Sequence, residues 1–436
     1  MRRTAFDQLK TWKKDKGRKP LVVRGARQVG KTWLLKEFAR TNFKNALYVN
    51  FEDDTQLQTL FLEDFNLERI INVLEIYTRE TVDPGNTLII LDEVQLAERG
   101  ITSLKYFCEK APEIHVVAAG SLLGISMPKK SSFPVGKVDF LDLNPMTFSE
   151  FLIAMDESKL LDLLKGKDWS GISIFKARLT ELLKTYYYVG GMPEVVSAYI
   201  HDRDWKRVRK IQKSILLAYE ADFSKHAPGN VLLRIRMVWQ SLAAQLAKEN
   251  KKFIYGSLRP GARAKDFELA IQWLADAGLV HKTCRVSKPE VPLTAFEEMS
   301  VFKLYVVDVG LLSAMCDLPL ETMIQGNDLF LQYKGALTEQ FVFQQLFSSD
   351  VEKIAYWTNE RSTSEVDFIV QTEGRIIPIE VKAEVNLRSR SFRFFCEKYQ
   401  PQTALRFSLK DYKEESWMIN LPLYTVEYAL DRKSVL

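Results

Sequence analysis

Residues 21–34 read Leu-Val-Val-Arg-Gly-Ala-Arg-Gln-Val-Gly-Lys-Thr-Trp-Leu. An apolar run through Val22 and Val23 ends at Gly25, and after four intervening residues come Gly30, Lys31 and Thr32, followed by an apolar helical pattern. The string is G-x-x-x-x-G-K-T where a strand turns into a helix, which is the context of a phosphate-binding loop. Glycine at 25 and 30 lets the backbone curl, so that successive N–H groups face phosphate oxygens. The expected cradle is Gly25, Ala26, Arg27, Gln28, Val29, Gly30, Lys31, Thr32 and Trp33. Lys31 would reach the β- and γ-phosphates, the Thr32 hydroxyl would ligate Mg²⁺, and the helix beginning near Lys31 adds its dipole. ATP with Mg²⁺ is the expected ligand.

Downstream segments extend the same reading. Residues 46–51 (ALYVNF) form a second strand, and residues 87–93 (TLIILDE) a buried parallel strand ending in two acids. After a phosphate loop, Asp92 reads as the Walker-B partner of Mg²⁺ and Glu93 as the base that polarises the attacking water. A strand over 114–119 ends at Gly120-Ser121. Its end falls beside the metal site in such a sheet, so Ser121 is either a polar sensor of the γ-phosphate or a small residue closing the strand.

The stretches GARQVGKT, LIILDEVQ, AAGSLLG and LDLNPMTFSEFL, with YYYVGGMPEVV further on, resemble one bacterial and archaeal family. These are AAA-type P-loop ATPases carrying a C-terminal domain of unknown function. The resemblance covers nearly the whole chain and implies an ATP-binding domain built on the residues named above. It also implies Gly-Arg where this chain has Gly136-Lys137. A lysine point charge would serve a nucleotide-sensing role less well than a guanidinium fork.

The 436 residues are enough for two to four domains, and their 46% hydrophobic content suits a large core. A net charge of +5 permits a nucleic-acid partner without demanding one. Cys108, Cys284, Cys316 and Cys396 are too scattered for a zinc site or disulfide framework, and the four His are equally dispersed. Metal chemistry must then rest on carboxylates. The charged N-terminus has no signal-peptide pattern and no apolar run approaches a membrane span, so a cytoplasmic protein without a membrane partner is expected.

In the middle, Lys206, Arg209, Lys210 and Lys213 fall on one helical face, either a nucleic-acid stripe or a solvated surface. Helical patterns over 237–246 and 264–277, an element near 253–258 and strands over 279–285 and 303–307 follow winged-helix order. Arg259, Arg263 and Lys265 would then meet phosphates of double-stranded DNA, unless the module serves protein packing.

A second constellation closes the chain. Glu339 lies on an amphipathic helix (335–346), Asp367 in a strand (364–370), and Glu380 and Lys382 in a second strand (375–382), with a turn at 372–374 making a hairpin. Period-two alternation places Glu380 and Lys382 on one face, and hairpin pairing brings Asp367 near them. This is D…E-x-K, the pattern of restriction-endonuclease-like folds, in which carboxylates ligate Mg²⁺ and a lysine orients water. Glu339 would be an additional ligand, and Arg388, Arg390, Arg393 and Lys398 would surround the phosphates.

The expected fold is α/β: a P-loop NTPase sheet (1–155), a helical lid or linker (156–230), a winged-helix-like module (231–320) and a nuclease-like domain (321–436). The expected function is ATP hydrolysis driving a conformational switch or motor on DNA, with self-association open. The alternatives are an ATP-regulated metal-dependent nuclease and a nucleotide-gated module with negligible turnover. Catalysis would fall to Lys31, Glu93 and Ser121 in the first site and to Glu380 and Lys382 in the second. Thr32 and Asp92, then Glu339, Asp367 and Glu380, would hold the metals.

Overall fold

The computed structural model describes residues 1–121, 133–248, 251–320, 328–359, 364–383 and 389–430. They form two compact units: Met1–Asn144 with Asp276–Gly278, and Pro145–Ala275 with Leu279–Leu436.

The first unit is a parallel sheet covered by helices. Its strands are β1 (Leu21–Gly25), β2 (Asn45–Asn50), β3 (Thr87–Asp92), β4 (His115–Ser121) and β5 (Asp139–Asp142), in the order β2-β3-β4-β1-β5. All four pairings are parallel. Every residue of β3 is buried, as its unbroken apolar run requires of a strand covered on both faces. The helices are α1 (Ala5–Lys14), α2 (Lys31–Asn42), α3 (Leu67–Thr78) and α4 (Gly100–Lys110). Val22, Val49 and Leu91 pack with Phe61, Ile70 and Leu104 in one core. Because the strands run the same way, Gly25, Asp92 and Ser121 all arrive at one sheet edge, with Gly25 opposite Ser121 in register. Sequence patterning places β1 to β4 to within a few residues.

His115 opens β4 and lies edge-on to the rings of Trp12 and Phe43, at 5.8 and 5.1 Å. Burial, and then the Arg18 charge, depress its pKa from the ordinary 6.5 to about 4. In the unfolded chain His115 protonates below about pH 6.5 while the folded form resists charging, so stability is full above that value and falls towards pH 4. Allowing for solvent screening, the loss is on the order of 2 kcal/mol. His115→Phe should flatten the acid limb of the urea-unfolding midpoint between pH 6.5 and 4; an unchanged slope would remove His115 from the acid response.

The second unit begins with helices α5 (Phe148–Ala154), α6 (Ser158–Gly166), α7 (Trp169–Ile174), α8 (Lys176–Val189), α9 (Pro193–Asp202), α10 (Trp205–His226), α11 (Gly229–Leu246) and α12 (Ala264–Asp276). There follow β6 (Val280–Val286), β7 (Glu297–Val306), α13 (Val309–Met315) and α14 (Asp328–Phe347). Next come β8 (Lys353–Thr358), β9 (Glu365–Thr372), β10 (Arg375–Val381), α15 (Arg390–Tyr399), β11 (Leu405–Ser408), β12 (Lys413–Glu415) and β13 (Met418–Pro422). Eight strands share one sheet, in the order β12-β13-β11-β10-β9-β8-β6-β7.

Segments far apart in sequence meet in a buried polar knot. The Tyr186 hydroxyl donates to the Met146 carbonyl (2.5 Å), and Met146 N–H donates to the Gly191 carbonyl (2.7 Å). Asp308 accepts from the Gly191 and Leu311 amides at 2.6 and 2.9 Å, and also from the Gln344 side chain. Gln345 accepts from Phe148 N–H, and Gln340 and Gln344 accept from Val306 and Val309 N–H. Each of these groups would carry a desolvation cost if left unpaired, and all the bonds named here are made, although the Gln345 side-chain nitrogen is buried without a partner. Gly191 is required by space, since a Cβ there would stand 2.1 Å from the Met146 carbonyl oxygen. Gly191→Ala should therefore destabilise the protein by on the order of 3 kcal/mol. An unfolding midpoint within 2 °C of wild type would show that the knot yields.

Three sequence expectations change here. The second element of the expected winged helix is a single 3-10 turn (Tyr255–Ser257), and its two strands are no free wing, because β6 pairs with β8 and extends the large sheet. The boundary expected at 320/321 consequently runs through one compact unit. In the basic stripe, Arg209 turns inward to Ser313 and the Leu318 carbonyl (both 3.1 Å) and stacks over Tyr188, while Lys213 pairs with Asp317 at 2.7 Å. Only part of the stripe is left to face solvent. Arg388 lies outside the described residues.

Candidate functional site

The loop between β1 and α2 has the backbone its glycines predicted. Gly30 caps α2 at φ 93°, and Gln28 sits at φ 66°. A Cβ on Gly25 would approach the Leu143 carbonyl oxygen to 2.2 Å, so no other residue fits. Val29 and Ala26 are buried in the core, Arg27 and Gly30 are half-buried, and Gln28 and Trp33 are exposed. The Lys31 ammonium is folded back under the loop, donating to the Gly25 and Ala26 carbonyls at 2.9 Å each. Its pKa falls to about 8, because burial outweighs the opposing pull of Glu93 and Asp92. A cation held this close to losing its proton gains from any anion placed beside it.

Asp92, 2% exposed, collects donors at the end of β3. Its Oδ2 accepts from the Thr32 hydroxyl at 2.7 Å and from the Tyr48 hydroxyl at 3.0 Å, and its Oδ1 from Glu93 N–H at 3.1 Å. Thr32 and Asp92 thus offer two hard oxygens side by side, a donor set that fits Mg²⁺. Glu93 stands in the left-handed region at φ 50°, a strained position for a glutamate, and its carboxylate accepts from the Gln95 side chain. Ser121 ends β4 in register with Gly25. Tyr48 was not singled out by sequence reading; a tyrosine at a strand end within ALYVNF carries no motif. Burial and Asp92 raise its pKa, so it stays a donor.

Lys137 is displaced from this edge. It pairs with Glu109 at 3.0 Å on the surface, two residues before Asp139, which aligns with the first residue of β1. It therefore stands at the opposite end of the sheet from Asp92.

The C-terminal carboxylates do converge, but onto lysines. Asp367 accepts from Val381 N–H at 2.7 Å, and Glu380 pairs with Lys382 at 2.6 Å, as hairpin pairing predicted. Glu339, 4% exposed, is held by three donors: Lys303 at 3.1 Å, Tyr305 at 2.5 Å, and Lys251. Lys303, fully buried, also pairs with Glu365 at 2.5 Å. Burial alone would lower the Lys303 pKa, but Glu339, Tyr305 and Glu365 hold it well above the ordinary value. Burial, then Glu380 and Glu339, push Asp367 upward towards its neutral form. Beside Lys382, Lys251 and Lys303 also enter this group of acids, so three lysines stand among Glu339, Glu365, Asp367 and Glu380. Among the described residues, no group of three or more His, Cys, Asp or Glu is placed to hold a metal. Lys251 and Lys303 come from segments read as winged helix, so sequence spacing gave no reason to bring them here.

Comparison with known proteins agrees with this layout. Residues 17–152 match the model of an AAA domain, while residues 180–322 and 334–424 match two domains of unknown function, DUF8612 and DUF4143. An uncharacterised protein of Methanocaldococcus jannaschii is 25% identical over 373 residues, covering 84% of this chain and 75% of its own. Among solved structures, a Walker-type ATPase of Pyrococcus abyssi is similar over 72% of this chain and 95% of its own, at 13% identity and TM-score 0.44. The Orc1 protein of Aeropyrum pernix in complex with DNA is similar over 69% of this chain and 86% of its own, at 12% identity and TM-score 0.27. No helix among the described residues is long and apolar enough to cross a membrane. Residues 17–152 thus match an AAA domain on the α/β fold of P-loop ATPases, and the segments after them match two domains of unknown function.

Proposed function

We propose that this chain binds ATP with Mg²⁺ at the β1–α2 loop and hydrolyses it, using the bound γ-phosphate to switch its conformation. The observation that carries the reading is the contact between Thr32 and Asp92 beside a buried Lys31, all at one edge of a parallel sheet. Lys31 would exchange its two carbonyl partners for phosphate oxygens, and the loop amides would close around the triphosphate. Thr32 and Asp92 would hold Mg²⁺, Tyr48 would fix the Asp92 carboxylate, and Glu93 would orient water. Ser121, at the neighbouring strand end, would sense the γ-phosphate.

The Glu93–Gln95 contact favours a slow enzyme as the second reading, since Glu93 must leave its partner before it can act as a base. A DNA partner is supported by Arg263 and Lys265, exposed at the start of α12, where Asp266 is already paired with Arg259 at 3.9 Å. That binding should weaken steeply with salt. The test of the main reading is hydrogen exchange on the full chain with ADP and with a non-hydrolysable ATP analogue, together with phosphate release from ATP. Different protection around 25–33 and 92–97 in the two states, with turnover, supports the switch. Identical protection would overturn it, and protection without turnover would leave the nucleotide-gated module.

A further inference from the structure

The carboxylate cluster in the second unit is built on a D…E-x-K hairpin, a pattern made to hold divalent metal, and its chemistry depends on where the oxygens point. Here they point at ammonium groups. Glu339 spends one oxygen on Lys303 and Tyr305 and the other on Lys251. Lys303 bridges Glu339 on α14 to Glu365 at the start of β9. It is wholly buried, with its ammonium also 4.9 Å from the face of Tyr356. Asp367 is committed to a backbone amide and Glu380 to Lys382.

We propose that the Lys303 ammonium is a built-in counter-ion standing where a divalent metal would otherwise bind, so that the C-terminal domain works without metal. The argument is steric and electrostatic. A divalent ion needs several oxygens at about 2.1 Å, and both Glu339 oxygens are already taken by Lys303, Tyr305 and Lys251. Two positive centres so close repel strongly in a site with little water. Displacing Lys303 from its partners would in turn leave a buried ammonium unpaired, which is strongly unfavourable. Lys303 is delivered by β7, outside the hairpin that carries the motif, so the metal-like pattern and its neutraliser come from different parts of the chain. This inference is independent of the nucleotide reading, because it concerns the other unit and needs no ATP.

The experiment is Mn²⁺ binding to the nucleotide-free full-length protein, followed by paramagnetic resonance and titration calorimetry. Wild type should show no site with Kd below about 1 mM, whereas Lys303→Met should gain one with Kd below about 100 μM. That new site should disappear when Asp367→Asn and Glu380→Gln are added. Stoichiometric Mn²⁺ binding by wild type that is lost in Asp367→Asn/Glu380→Gln would overturn the proposal. A folded Lys303→Met protein, judged by circular dichroism, that gains no Mn²⁺ site would overturn it equally. Should Lys303→Met not fold, the wild-type titration still decides, and a Mn²⁺-soaked crystal with anomalous density among Glu339, Asp367 and Glu380 would refute the inference directly.

Discussion

Lys31→Ala should abolish detectable ATP binding while leaving the nucleotide-free protein at least as stable as before. The ammonium is buried against two carbonyls, and that burial already drags its pKa to about 8. The free protein thus gains little from the charge. A triphosphate gains much: a unit charge about 4 Å away in a partly screened site is worth about 4 kcal/mol. Losing that amount weakens affinity by roughly 10³-fold. Calorimetric titration with ATP and Mg²⁺, read beside the thermal midpoint of the free protein, separates the two effects. Unaltered affinity would sink the assignment of the loop. A collapse of the free protein's midpoint would instead make Lys31 a structural residue.

Glu93→Gln should separate binding from turnover. The amide keeps the shape and the contact with Gln95 but cannot accept a proton from water. Affinity for ATP should stay within about twofold, while phosphate release should fall by roughly 10²-fold or more. The backbone at Glu93 is already left-handed and is not disturbed by this change. Phosphate release at the wild-type rate would reduce Glu93 to a strand-end acid that happens to follow Asp92.

What was legible in the sequence was whatever is local. Gly25, Gly30, Lys31 and Thr32 lie within eight residues, and the run ending at Asp92 announces a buried strand without knowledge of its neighbours. The hairpin carrying Asp367, Glu380 and Lys382 was readable for the same reason, since period-two alternation fixes facing residues once a turn is found. Illegible features depend on long-range packing. Nothing near Lys303 or Lys251 signals that either meets Glu339, because their partners are 36 and 88 positions away. Gly136-Lys137 misled in the opposite sense: proximity in sequence to a familiar motif said nothing of which sheet end it occupies. The winged-helix order could not show that the hairpin's outer edge joins another strand, because a hairpin's pattern is local and the pairing of β6 with β8 is not.

The knot around Gly191 and Asp308 bears on how this chain can be dissected in the laboratory. The two segments that match separate families, 180–322 and 334–424, look like natural pieces to express alone. A fragment starting at 334 would keep Gln340 and Gln344 yet lose Val306 and Val309, whose amides they receive. The complementary fragment would leave those amides without acceptors and would present β6 as an open edge where β8 should pair. Each half would therefore arrive sticky and incompletely hydrogen-bonded, and inclusion bodies from such truncations would report the cut, not the function of either half. The better cut is at 144/145, which divides the two compact units apart from the three residues Asp276–Gly278.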